Sequence, residues 1–233
     1  MIKRVVIVTG ASRGIGAEIA RRLAFEGYRV VLAARSHAPL HALAAELPEA
    51  IAHPLDVTDP VQVQGLVDRT MEQWGRIDAL INNAGHAHVA PVEEITPDQF
   101  AHQLNVNVMG PFLCTRAVLP IMRAQHGGQV VNVLSVAAKR AFPNWSAYCA
   151  SKFALDGFGQ ALAEELKGTG IRLTAIYPGA TDTPLWDGMG MSAEQRAGMV
   201  RPEDVADAVA FALRQPARTR VAEVIVEPSR GDV

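Results

Sequence analysis

Val5-Val6-Ile7-Val8-Thr9-Gly10-Ala11-Ser12-Arg13-Gly14-Ile15-Gly16 joins a β-branched run to a glycine turn, and a helical pattern from Ile15 to Phe25 follows directly. Four apolar β-branched residues in a row read as a short buried strand. A strand, a tight glycine turn and a helix N-terminus together make an anion site, because unpaired backbone N–H groups and the positive helix end point at one spot. The spacing is Gly-x-x-x-Gly-x-Gly. It lacks both the further glycine, at the position of Ile19, of the commoner dinucleotide fingerprint and the Gly-Lys-Ser/Thr of a P-loop. The stretch is read as a phosphate cradle at the carboxyl end of a first strand.

Outward from it, short apolar runs alternate with longer helical patterns. Val30-Val31-Leu32 is followed by Leu40 to Leu47, Ala50 to Leu55 by Val61 to Trp74, and Ala79-Leu80-Ile81 by one long helical stretch from Pro97 to Gln125. Val130 to Val133, a helix from Ser146 to Lys167, Leu173 to Ile176, a helix from Pro202 to Leu213 and a last strand Val221 to Val226 complete the series. This predicts an α/β fold: a doubly wound, seven-stranded parallel sheet of the Rossmann type with helices on both faces, forming one domain over residues 1–233. Thr96-Pro97-Asp98-Gln99 and Ser192-Ala193-Glu194-Gln195 are capping boxes. The second predicts a short helix inside residues 184–200, a Gly- and Met-rich connection long enough to serve as a lid over a substrate pocket.

The composition excludes several classes of function. Of the 233 residues 49% are hydrophobic and 20% charged, as in a soluble protein with an ample core. A formal net charge of -2, without a polybasic run, offers nothing to nucleic acid or an anionic membrane. The apolar stretch in the opening MIKRVVIVTGAS is too short for a signal-peptide core, and no run approaches the roughly 18 apolar residues of a membrane span. Cys114 and Cys149 lack metal or redox spacing, which fits a reducing cytoplasm. His86-Ala87-His88 has no third ligand at useful spacing, so no metal is expected.

In Ser146-Ala147-Tyr148-Cys149-Ala150-Ser151-Lys152 a phenol and an ammonium stand four residues apart at the start of a helix. Such positions share a face, with Cβ atoms roughly 5–6 Å apart, and can act on one ligand. Cys149 points about 100° away from Tyr148 and reads as packing. Gly10, Arg35, Asp56, Asn82, Ser135 and Pro178 each follow the apolar run of a different predicted strand, the edge at which open α/β sheets bind ligands.

Thr9-Gly10-x-x-x-Gly14-Ile15-Gly16, Asn82-Asn83-Ala84-Gly85, Ser135, Tyr148-x-x-x-Lys152 and Pro178-Gly179-x-x-x-Thr183 together resemble the ordered motif set of the short-chain dehydrogenase/reductase family. The resemblance covers nearly the whole chain. It implies a nicotinamide cofactor, with hydride transfer between an alcohol and a carbonyl, and a small-molecule carbonyl or alcohol substrate. The cofactor would be held by Gly10, Ser12, Arg13, Gly14, Ile15 and Gly16. Asp56 and Val57 would contact its adenine, and Asn83, Ala84 and Gly85 its adenosine side. Pro178, Gly179 and Thr183 would hold the nicotinamide carboxamide, and Lys152 the nicotinamide ribose, beside Tyr148. A homodimer or homotetramer through the helices bearing Asn107 and Tyr148 is also implied, although Glu227 to Val233 replace the glycine pair with which relatives commonly end.

The second strand ends Ala34-Arg35-Ser36, where an NAD-binding Rossmann protein usually has a carboxylate for the ribose 2′-OH. A guanidinium binds a 2′-phosphate through forked, charge-assisted hydrogen bonds, so Arg35, with Ser36 and with Arg13 nearby, favours NADP over NAD.

A carbonyl that accepts a hydride must receive a proton at its oxygen. Tyr148 is the candidate donor, and base in the reverse direction. Bringing its pKa down from near 10 by about 2–3 units requires roughly 3–4 kcal/mol of help, from Lys152 and the positive oxidised nicotinamide. Ser135 would orient the substrate oxygen. By resemblance, Asn107 would hold a relay water. Val136, Ala138, Phe142, Trp145 and residues 185–191 would line the pocket, leaving the substrate open. The rival reading is a non-catalytic, NADP-sensing regulator of the same fold.

Overall fold

The computed structural model describes residues 3–229; Arg230 to Val233 of the divergent C-terminus lie outside the described residues. Seven strands, β1 (Val5–Thr9), β2 (Arg29–Ala34), β3 (Ala50–Pro54), β4 (Ala79–Asn82), β5 (Gly128–Val133), β6 (Ile171–Pro178) and β7 (Glu223–Val226), form one sheet in the order β3-β2-β1-β4-β5-β6-β7. Every pairing is parallel, for example Val6 opposite Val30 on one side and Ala79 on the other. The chain turns outward in opposite directions from β1 and β4, so the crevice for a ligand lies at their carboxyl ends.

The helices are α1 (Gly14–Phe25), α2 (His37–Glu46), α3 (Pro60–Trp74), α4 (Pro97–Leu104), α5 (Gly110–Ala124), α6 (Ser146–Glu165), α7 (Ala193–Ala197) and α8 (Pro202–Arg214). Alternation along each strand sorts the apolar side chains into two layers. Val6 and Val8 pack with Ile19, Leu23, Val205 and Val209 under α1 and α8. Val5 and Ile7 pack with Leu66, Val118, Met122 and Leu162 under α3, α5 and α6. A sheet covered on both faces explains why its central strands are continuous apolar runs rather than alternating ones.

Local signals set the element ends. Asp59 caps α3 through Val61 and Gln62 N–H groups at 2.8 and 3.2 Å, and Gly75 ends it at φ 68°. Both predicted capping boxes form, on α4 and on α7. Most boundaries differ from expectation by a few residues: α2 begins at His37 rather than Leu40, and β7 at Glu223 rather than Val221.

One expectation needs a larger correction. The stretch from Pro97 is not a uniform helix; a π turn over Asn105–Met109 separates α4 from α5. Pro111 has no N–H to return to the carbonyl four residues back, so the i→i+4 ladder breaks there. The Gly110 N–H reaches Asn105 instead, and Gly110 itself sits where a Cβ would come within 2.7 Å of Val57. By length and composition alone the 28-residue run Pro97–Ala124, with an 18-residue stretch of mean hydropathy 1.2, would suffice to cross a bilayer. In this fold it packs against α3 and α6.

The end of β1 is tied to the end of β4 by one side chain. The Thr9 hydroxyl, nearly inaccessible, donates to the Ile81 carbonyl at 3.1 Å and accepts from the Asn83 and Ala84 N–H groups at 3.0 Å each. Thr9→Val keeps the shape and removes all three bonds. A loss of about 3 kcal/mol is expected from the unpaired groups left behind, read as a lower urea midpoint with an unchanged slope; an unchanged midpoint would show that the hydroxyl contributes nothing.

Candidate active site

The glycine turn after β1 and the loop after β4 approach more closely than side chains permit. Gly10 and Gly14 have φ of 65° and 56°, which disfavours any residue with a Cβ. A Cβ on Gly16 would lie 2.3 Å from the Gly10 carbonyl oxygen and 2.4 Å from Asn83 Nδ2, and one on Gly10 would lie 2.8 Å from Ala84 Cα. The Asn83 amide donates to the carbonyls of Thr9 at 3.0 Å and Gly10 at 3.3 Å, clamping the two segments together. Arg13, the N-cap of α1, provides no side-chain cap, so the first-turn N–H groups have no acceptor within the helix or from that residue.

Around this turn lies a cleft of about 270 Å³. Gly10, Ser12, Arg13, Gly14, Ile15, Gly16, Arg35, Ser36, Asp56, Val57, Asn83, Ala84, Gly85, Tyr148, Lys152 and Thr183 all line it. Arg13 and Arg35 are exposed. Burial pushes the Asp56 carboxyl up, but hydrogen bonds to its Oδ1 from the Thr58 N–H (2.9 Å) and hydroxyl (2.8 Å), with the charges of Arg35 and His102, hold it below its ordinary value. His86 also lines the cleft, its ring 5.3 Å from His102; burial first, then neighbouring positive groups, keep it below the usual histidine value. Among the described residues no three His, Cys, Asp or Glu side chains gather as metal ligands. Cys114 and Cys149 are both buried and unpaired.

A second cavity, of about 320 Å³, opens beside the first at the ends of β5 and β6. Pro178 and Gly179, expected with the cleft residues, line this cavity instead, and Thr183 borders both. Pro178 is the last residue of β6 and Asn82 the last of β4, whereas Gly10, Arg35, Asp56 and Ser135 lie beyond their strands. Of the expected pocket walls, Val136, Phe142, Trp145, Leu185, Trp186 and Met191 line the cavity. Residues 187–190 and Ala138 do not, and Ala138 is buried with Leu134, Leu155, Ala175 and Tyr177. Arg140, Thr181, Gln195 and Pro228 are additional wall residues that the sequence reading missed. Pro228 comes from beyond β7, packed onto the backbone of Gly179, whose N–H donates to Val226 at 2.8 Å.

Tyr148 borders both cavities. Burial pushes its phenol up to about 12, against the pull of a hydrogen bond with the Ser135 hydroxyl. Lys152, one turn along α6 and 5% exposed, donates from Nζ to the Val133 carbonyl at 3.1 Å, and Nζ stands 5.5 Å from the Tyr148 ring centroid. Burial pulls this ammonium down to about 8. The protein alone therefore keeps the phenol protonated, and the lowering expected from the sequence is not supplied by Lys152 unaided.

Asn107 is buried on the π turn. Its Oδ1 accepts from the His86 N–H at 2.8 Å, and its Nδ2 donates to the His86 carbonyl at 2.8 Å and the Ser151 hydroxyl at 2.9 Å. Ser151 in turn donates to the Tyr148 carbonyl at 2.7 Å. With both amide hydrogens engaged, the Asn107 side chain works as a brace between the β4 loop and α6. Ser151 was missed; its signal was its place three residues after Tyr148, where a buried hydroxyl needs a partner.

The segment after β6 is held down by one cation. Arg196, in α7, bonds Asp182 at 2.6 Å, Asp187 at 2.9 Å and the Thr183 carbonyl at 3.1 Å. The Trp186 indole N–H donates to the Thr181 carbonyl at 2.9 Å, setting its ring against the cavity.

Comparison with known proteins agrees with this architecture. A family model described as short chain dehydrogenase matches residues 4–193. The sepiapterin reductase of Chlorobaculum tepidum is 35% identical over 246 residues, covering 100% of this chain and 99% of that protein. An alcohol dehydrogenase from the archaeon Thermococcus sibiricus, solved with 5-hydroxy-NADP, superposes with a TM-score of 0.91 at 29% identity over 99% of both chains. The 3-ketoacyl-(acyl-carrier-protein) reductase of Brucella melitensis, solved with NADH, gives 0.92 at 30% identity, again over 99% of both. The chain belongs to the short-chain dehydrogenase/reductase family and is an oxidoreductase of the CH–OH/C=O couple.

Proposed function

We propose that the protein is an NADP-dependent carbonyl reductase or alcohol dehydrogenase in which Tyr148 is the general acid and base. The observation that carries this reading is the position of Tyr148 on the boundary of the two cavities, bonded to Ser135 and backed by a buried Lys152.

The cleft suits such a cofactor. Uncapped N–H groups at the start of α1 and the glycine turn match a diphosphate, and two exposed guanidinium groups, Arg13 and Arg35, beside Ser36 match a 2′-phosphate. Asp56 keeps Oδ2 for an adenine amino group, with Val57 and Asn83 to Gly85 along the adenosine. Pro178, Gly179 and Thr183 would hold the carboxamide at the boundary with the second cavity. The NADP analogue in the archaeal alcohol dehydrogenase supports this choice, while the NADH in the Brucella reductase keeps NAD within the family's range.

The nicotinamide, when bound, supplies the hydride that forms the new C–H bond. Tyr148 gives its proton to the carbonyl oxygen, forming the O–H bond, and is reprotonated from solvent; a phenol kept protonated by burial is suited to that direction. Ser135 orients the oxygen. Lys152 offers its ammonium to the ribose hydroxyls and to the phenolate that forms, and Asn107 with Ser151 holds this part of α6 against the β4 loop. Residues 184–200 act as the substrate lid, latched by Arg196. The regulatory alternative has no support: a sensor without turnover has no use for this acid, its hydroxyl partner and its lysine together. A cytoplasmic homo-oligomer accompanies the reading. Phe112 of α5 and Phe153 of α6 are 38% and 48% exposed, and a second copy would cover them; a purely monomeric species in sedimentation velocity would remove that part.

Tyr148→Phe should lower kcat at least about a thousandfold while leaving the Kd for NADPH within a few-fold. For Lys152 the sign follows from its depressed value: the charged form prevails below pH about 8, so NADPH affinity should be full there and weaken above it, a dependence that Lys152→Met should flatten. Turnover surviving in Tyr148→Phe would remove Tyr148 from its role. For coenzyme choice, Ala34→Asp with Arg35→Ala should cut the NADPH/NADH ratio of kcat/KM by about 10–100-fold, the worth of one or two charge-assisted bonds; an unchanged ratio would refute the assignment to Arg35.

A further inference from the structure

The walls of the second cavity restrict what can stand before Tyr148. Among the described residues no carboxylate lines it, and the one cationic side chain there, Arg140, lies 3.3 Å from Glu227 and over the Phe142 ring at 5.3 Å. A charged ligand would therefore leave water for a surface whose one cation among the described residues already has an anionic partner. Much of the rest of the lining is aromatic. The Trp145 ring stands edge-on to Tyr148 at 5.3 Å and meets Trp186 at 5.7 Å, and Phe142, Leu185 and Met191 continue the surface. Trp186 is oriented beforehand by its bond to the Thr181 carbonyl, so a ring packing on it would not have to order it first. At about 320 Å³ the cavity is near the lower end of ligand pockets, and its Pro178–Gly179 end falls to the nicotinamide in the reading above.

Resting on the reductase reading, we propose that the substrate is a compact, uncharged aryl ketone or aldehyde of one or two rings. Its carbonyl oxygen meets Tyr148 and Ser135, and its ring packs against Trp145 and Trp186. Edge-to-face contact with these indoles distinguishes an aromatic ring from a saturated ring of equal size, because only the former carries the quadrupole that such contacts use. Among the described lining residues a carboxylated ketone would find Arg140 already facing Glu227, and a polyhydroxylated sugar would find few hydroxyl or amide partners beyond Ser135, Thr181, Thr183 and Gln195.

The test measures kcat/KM of the full chain with NADPH for acetophenone, cyclohexyl methyl ketone, 4-acetylbenzoate and the N-acetylcysteamine thioester of acetoacetate. Acetophenone is expected to exceed each of the others by at least about tenfold. In Trp186→Leu the acetophenone to cyclohexyl methyl ketone ratio should fall severalfold whatever happens to the absolute rates, and Trp186→Phe should keep most of it. Equal or better turnover of the alicyclic, anionic or thioester substrate, or a ratio indifferent to Trp186, overturns the proposal. Should no carbonyl be reduced with either coenzyme, the reductase reading fails by itself. The pocket is then judged by tryptophan fluorescence titration with 1-phenylethanol and 1-cyclohexylethanol in the presence of NADP. A tenfold preference for the aryl alcohol upholds the assignment, and equal binding ends it.

Discussion

The contact on which this molecule depends is the approach of two backbones, the glycine turn after β1 and the loop after β4, to a distance that leaves no room for a Cβ at Gly10 or Gly16. The sheet order brings these segments side by side, since β1 and β4 are neighbours although almost seventy residues of chain separate them in sequence. Asn83 and Ala84 then donate to Thr9, and the Thr9 hydroxyl donates back to the Ile81 carbonyl. The cleft takes its floor from this junction, α1 takes its starting point from it, and the Asn107 brace begins one residue beyond the loop it holds, at His86. Widening the gap by the size of one methyl group would therefore disturb the cleft and the position of α6 together.

Burial gives the site its electrostatic character. A phenol raised to about 12 and an ammonium lowered to about 8 are both displaced toward their neutral forms, the direction that desolvation imposes on any acid and any base. A pair read from the sequence as a proton donor and its electrostatic support is, in the folded protein without ligand, a neutral phenol beside an ammonium that burial makes easier to deprotonate. In the proposed reaction the free energy that ionises the phenol would have to come with whatever fills the cleft.

Much of the fold was legible because its signals are local or periodic. Continuous apolar runs, glycine turns, proline at the first helical position and the capping boxes at Thr96 and Ser192 each report their own neighbourhood, and the parallel, doubly wound sheet follows from their alternation. The cleft was legible for the same reason: its residues sit at strand ends, and strand ends are countable. Where the reading stopped, the missing information was tertiary. Apolar periodicity is nearly indifferent to a single π turn, so the break at Asn105–Met109 was absorbed into one helix even though Gly110-Pro111 signalled it. Ala138 was assigned to a pocket wall by proximity in sequence, whereas the one-turn helix after Ser135 directs it into the core. Ser151, Arg140, Gln195 and Pro228 are polar or turn residues of ordinary appearance that acquire a place only when distant segments meet.

Pro228 has a mechanical implication. It follows β7, the last strand of the sheet, which among the described residues has only β6 as a neighbour, and yet it supplies part of the cavity wall beside Gly179. The cavity wall beside Gly179 therefore rests on the single ladder between β6 and β7, and any shift of that ladder would carry Pro228 with it and reshape the cavity.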